Sequence, residues 1–149
     1  MVKNNFNCSI SANISSSEII NKIINVPGWW GITFSGSAEK QNDTFNVKMS
    51  GDSFFNFTVT EVLPGKRVVW LVTDCNMPWY TDKKEWAGTR LIFDIRENKD
   101  ETELTFTHEG LTPEVECYND CVPGWTHWIK TSLFSYITIG EGVFRTPTK

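Results

Sequence analysis

The chain has 149 residues, a formal net charge of -4 and a pI near 5.2. That is the usual size of one domain, long enough to bury a continuous core, and we expect residues 1–149 to form a single domain. The acidic balance excludes a general nucleic-acid binder, which needs a basic surface. With 40% hydrophobic and 21% charged residues the composition is that of an ordinary globular chain, and no apolar run approaches membrane-spanning length. Met1-Val2-Lys3-Asn4-Asn5 lacks the apolar stretch of a signal peptide, so a cytoplasmic location is expected.

Taken in order, residues 5–12 alternate, with Phe6, Cys8, Ile10 and Ala12 on one face of a half-buried strand. Ser15 and Glu18 fit a capping box that opens a helix with Ile19, Ile20, Ile23 and Ile24 as its stripe. Val26-Pro27-Gly28 stops it, and Trp29-Trp30 reads as a plug packing that helix on a sheet. Strands follow to about residue 110. Phe45, Val47 and Met49 alternate, then Phe55, Phe57 and Val59 after the Gly51-Asp52 turn. Pro64-Gly65 turns the chain into the strand 66–75, which contains Trp70. Residues 76–86 read as a long loop. Leu91, Phe93 and Ile95, then Leu104 and Phe106, complete an antiparallel sheet with one wet face. Thr112-Pro113-Glu114 predicts a helix start.

Residues 124–142 predict a long last helix. At about 100° per residue, Trp125, Trp128, Ile129, Leu133, Tyr136, Ile137 and Ile139 share one broad arc. His127, Thr131, Ser135 and Thr138 lie opposite. An arc this wide asks for a concave partner, so the expected fold class is α+β, a curved antiparallel sheet wrapped around the last helix. Ser132 and Gly140 lie inside the arc and predict unfilled volume there.

That volume makes candidates of the large inward side chains. Met49, Phe55, Phe57, Trp70, Phe93, Trp125 and Trp128 are the expected wall, each either plain core or ligand contact. His108 extends the inward alternation of Leu104 and Phe106, where it is either a hydrogen-bonded structural histidine or an acid, base or ligand contact. Tyr136 needs a partner for its hydroxyl, either a protein group or a ligand, and Ser132 is a weaker contact of the same kind. These two, with His108, complete the candidate ligand-binding set; His108 and Tyr136 are the weak catalytic candidates. His127 is expected in solvent, and Glu85 with Arg90 as a surface ion pair. Cys8, Cys75, Cys117 and Cys121 are expected as reduced thiols. With two histidines and scattered cysteines, neither a metal nor another cofactor is expected.

Four stretches carry a resemblance. They are Ser15-Ser16-Ser17-Glu18 leading into Trp29-Trp30, and Glu61-Val62-Leu63-Pro64-Gly65-Lys66-Arg67-Val68-Val69-Trp70. The others are Glu85-Trp86-Ala87-Gly88-Thr89 with Phe93, and Gly124-Trp125 with Ser132-Leu133, Tyr136, Gly140 and Gly142. In this order the chain resembles the START-like, birch-pollen-allergen-like superfamily (SRPBCC), and more narrowly its branch named for activators of the heat-shock-protein-90 ATPase. The resemblance implies a helix-grip fold with a hydrophobic cavity between sheet and last helix. It implies three functions: binding of a small hydrophobic or aromatic ligand, our first expectation; a cyclase or aromatase of the polyketide kind; and a protein-interaction, co-chaperone-like domain. Eukaryotic activators carry an additional N-terminal domain for chaperone contact, for which these residues leave no room, so a chaperone partner ranks last.

Overall fold

The computed structural model describes residues 5–31, 33–49 and 51–144. Seven strands form one antiparallel sheet: β1 (Phe6–Ala12), β2 (Thr33–Gly36), β3 (Thr44–Lys48), β4 (Phe54–Leu63), β5 (Arg67–Asn76), β6 (Arg90–Glu97) and β7 (Thr102–Glu109). Their order is β1-β7-β6-β5-β4-β3-β2, so the chain runs as a meander and β1 closes beside β7. β2 is an element that the sequence reading does not assign; its exposed Thr33, Ser35 and Gly36 carry no alternation. Two register shifts of β4 against β5, at Asn56/Phe57 and Val59/Glu61, bend the sheet. The bend turns the inward side chains of β3 to β7 toward one another.

Helix α1 (Ser16–Ile24) begins as its capping box predicts, the Glu18 N–H donating to Ser15 Oγ at 3.2 Å. Ile19, Ile20 and Ile23 are buried against the sheet. A short 3-10 turn at Val26–Gly28 then drives Trp29 and Trp30 into the core, as a plug should.

The last helix runs over residues 118–139. It consists of α2 (Tyr118–Trp125), a π-helical stretch (Thr126–Leu133) and α3 (Phe134–Ile139). It does not start at Thr112. Residues 112–117 form successive turns, Val115 N–H to the Thr112 carbonyl and Tyr118 N–H to the Val115 carbonyl. Pro123 lies inside α2, where it lacks the N–H that an unbroken α-helix requires, and the wider turns follow within three residues. Their slower rotation brings Trp125, Ile129, Leu133 and Ile137 to the buried side, every fourth residue. It also turns Ile139, expected on the apolar arc, out to 72% exposure. Gly140 ends the helix in the left-handed conformation at φ 86°.

Candidate functional site

The concave face of the sheet and the buried ridge of the last helix meet through aromatic rings. Six of them form a closed circuit by centroid distance. Trp125 lies 5.1 Å from Trp30, Trp30 5.6 Å from Phe57, and Phe57 5.8 Å from Trp70. Trp70 is 4.8 Å from Phe93, Phe93 5.1 Å from Phe106, and Phe106 4.6 Å from Trp125. Tilted and edge-to-face pairs at these spacings add stabilisation beyond area burial. The expected wall residues Phe55, Phe57, Trp70, Phe93 and Trp125 are therefore brought together. Met49 packs at the rim, half-buried. Trp128 does not join them. It packs half-buried at the edge of the core, against Phe144 5.8 Å away.

Trp86 closes one end of this circuit. The sequence places it in a polar loop, with no periodicity to mark it as buried. It stacks on Trp125 at 5.6 Å and 12°, and lies 4.4 Å from Phe55. Carboxylates tie its loop to the segment before α2 and to the first turn of α2. Glu85 accepts from the backbone N–H of Glu116 at 2.6 Å and of Cys117 at 3.0 Å. Glu116 returns the arrangement by accepting from Thr81 and Asp82 N–H, and Asp120 accepts from the Tyr80 hydroxyl at 2.7 Å. Glu85 is thus a loop clasp, not the partner of Arg90. Arg90 pairs instead with Glu109 directly across the β6–β7 ladder, at 2.6 Å.

His108 faces inward as expected and is fully buried. Both ring nitrogens are engaged. The Trp125 indole N–H, which can only donate, gives to Nδ1 at 3.0 Å. Nε2 must then carry the proton and donates to Thr89 Oγ1 at 2.9 Å, whose hydroxyl passes on to the Trp86 carbonyl at 2.6 Å. Burial pushes the imidazole down to about 3, so it is neutral. Gly110 makes this chain of bonds feasible: a Cβ there would meet Thr89 Cγ2 at 2.5 Å.

Tyr136 sits away from the circuit, half-buried at the corner of α1. Its hydroxyl accepts from Asn25 Nδ2 at 2.5 Å and Lys22 Nζ lies 4.4 Å from its ring centroid. Gly28 passes beneath it so closely that any Cβ would collide with the ring. The volume expected at Ser132 is filled. Ser132 is fully buried, donates to the Trp29 carbonyl at 2.6 Å and accepts from Val143 N–H at 2.9 Å. Gly140 leaves no hole either, because it lies at the exposed helix end. His127 is half-buried and contacts the Val143 carbonyl through Nε2 at 2.7 Å, so it is not simply solvated. Ser132→Ala should cost about 1–3 kcal/mol, since two backbone groups lose their partner. Urea denaturation checks this, and an unchanged midpoint would mean that the staple is idle.

Trp70 differs from its neighbours. It is fully buried, yet its Nε1–H has no hydrogen-bond partner among the described residues. Phe45 at 77° and Phe93 at 61° stand edge-on around it. A separate depression of about 380 Å³ opens on the outer face of the sheet at Asp94, Ile95, Arg96, Glu103 and Thr105. Its polar strand surface does not suit an apolar molecule. Among the described residues no cluster of three potential metal ligands occurs.

A seven-stranded curved antiparallel sheet gripping a long C-terminal helix defines the helix-grip, START-like class. Within it, the sequence profile described as "Activator of Hsp90 ATPase homolog 1-like protein" matches residues 25–138, and the chain belongs to that family. The solved structure titled "Solution structure of the Aha1 dimer from Colwellia psychrerythraea" is 26% identical, with a TM-score of 0.75 over 95% of this chain and all of that one. SSP2350 from Staphylococcus saprophyticus shares the fold at 13% identity and a TM-score of 0.70, covering 95% of this chain and 97% of its own. DynU16, titled a putative protein in the dynemicin biosynthetic locus, does so at 16% identity and 0.69, over 95% of this chain and 49% of that chain. No curated protein matches the sequence.

Proposed function

We propose that this protein binds a small apolar or aromatic molecule bearing one hydrogen-bond acceptor, between the curved sheet and the C-terminal helix. One observation carries the reading: the unpaired indole N–H of Trp70 inside the aromatic circuit. Buried donors are nearly always satisfied, and an orphan costs about 1–3 kcal/mol. A ligand oxygen that met it would recover that cost, while the surrounding rings would supply apolar contact. Contacts from an N–H to a π face are weaker and leave the donor available. Entry requires Trp86 and its loop to move, and that loop is held by side chains at the surface.

The cyclase or aromatase reading asks His108 or Tyr136 to move a proton. Both are already bonded to protein groups, which favours the binding reading. A protein-interaction reading draws on Trp79, 61% exposed at the tip of the Trp86 loop. Dye displacement separates these. Acetylnaphthalene should displace an apolar dye several-fold more tightly than naphthalene, as one recovered hydrogen bond of about 1 kcal/mol implies. Trp70→Phe should erase the difference while leaving naphthalene binding in place. Equal displacement by both in the wild-type protein would remove Trp70 from the site, and no dye binding at all would favour protein interaction.

A further inference from the structure

Two thiols lie directly beneath Trp86, the ring that closes one end of the aromatic circuit. Cys117 ends the turns before α2 and Cys121 is one helical turn further on, its N–H bonded to the Cys117 carbonyl at 2.7 Å. Their sulfurs are 2.6 Å apart, inside the contact distance of two separate thiols and not far above the length of an S–S bond. Helical residues four apart have Cα atoms about 6 Å from each other, within the range that a disulfide spans. The Trp86 indole N–H also donates to Cys117 Sγ, at 3.4 Å. Cys117 is fully buried, whereas Cys121 is partly open to solvent. One sulfur is thus reachable, the second lies behind it, and the second is also what the Trp86 N–H holds.

We propose that Cys117 and Cys121 form a dithiol modification site that small disulfides oxidise to a disulfide across the N-terminal turn of α2, loosening Trp86. Cys117 and burial hold the Cys121 thiol above its ordinary value, so it gives up its proton to water more readily as pH rises. The thiolate then attacks one sulfur of the small disulfide, whose other half leaves as a thiolate and takes a proton from water. Cys117, losing its proton to water, then attacks Cys121 Sγ and expels the remaining half as a second thiol. One disulfide is reduced to two thiols, and two protein thiols become one disulfide. As a disulfide sulfur, Cys117 Sγ is then a poorer acceptor for the Trp86 N–H than the thiol was. A crosslink spanning one helical turn constrains the unfolded chain little, so its effect is local. Oxidation stands independently of the ligand reading; only the consequence for ligand entry rests on it.

The native protein is incubated with glutathione disulfide, and its thiols are then counted and the peptides mapped. The count should fall from four to two, with Cys117 and Cys121 joined within one peptide. Cys117→Ser should instead retain one glutathione on Cys121. Cys121→Ser and Cys121→Ala should keep their three thiols free. In the wild-type protein alone, oxidation should change tryptophan fluorescence and speed the entry of acetylnaphthalene several-fold. Four thiols remaining in the wild-type protein, or a bond involving Cys8 or Cys75, would overturn the site. Oxidation as expected with no naphthalene-class binding in either state would leave the dithiol standing and remove the ligand reading.

Discussion

Trp125→Ala should destabilise the protein by about 3–5 kcal/mol, the range for removing a fully buried large aromatic side chain. Trp125 is 2% exposed and is the residue where helix, sheet and loop meet. It touches Trp30, Trp86 and Phe106, and its N–H holds His108. The substitution breaks the circuit between Trp30 and Phe106 and also leaves His108 Nδ1 without a donor. Trp125→Phe keeps an aromatic ring at the site while removing the donor and part of the bicyclic volume, so its cost bounds the donor's share from above. It should cost about 1–3 kcal/mol. Urea denaturation of both variants measures this. Equal, small losses in the two would mean that the helix is not anchored through this face.

Stability should fall as the solution is acidified from about pH 6.5 to 4.5, and His108 should account for most of the fall. Its ordinary value is 6.5 and burial lowers it to about 3, with no charged neighbour contributing. Between those values the unfolded chain takes up a proton that the folded chain refuses. The stabilisation is therefore complete above the unfolded value and is lost as pH drops, by up to about 1.4 kcal/mol per unit. At about pH 5 the loss is about 2 kcal/mol. Hydrogen bonds from Ser37, Lys84 and Arg90 depress Asp43, Asp74 and Glu109 respectively. Their contributions are lost only at lower pH, below the ordinary carboxylate range. Replacing His108 with Gln should lower stability at neutral pH and flatten the slope in this window. An equally steep slope in His108→Gln would place the acid sensitivity elsewhere.

Much of this fold is written in local pattern. The alternation of Phe55 with Phe57 and of Leu104 with Phe106 specifies both strands and their inward faces, because side chains on a strand repeat with period two. Ser15 and Glu18 specify where α1 begins. The last helix is legible as a helix, but not its rotation. A wheel at a constant 100° has no means of anticipating the π-helical stretch, so it misplaces Ile139 and puts Trp128 deeper than its half-buried place, while keeping Trp125, Ile129, Leu133 and Ile137 inside. Ser132 looks like missing volume because the sequence does not reveal that the Trp29 carbonyl and Val143 N–H converge on it. Trp86 and Thr89 are illegible for another reason. Their places depend on Glu85 reaching residues 116 and 117, a long-range contact with no local signature.

The central claim is that the aromatic interior receives a ligand at Trp70. The indole N–H resonances of the seven tryptophans report on it directly in a proton–nitrogen correlation spectrum. With acetylnaphthalene added to saturation, the Trp70 resonance should move downfield as its N–H gains an acceptor, and those of Trp86 and Trp125 should shift with it. Movement confined to the exposed Trp79, with Trp70 unchanged, would contradict the account.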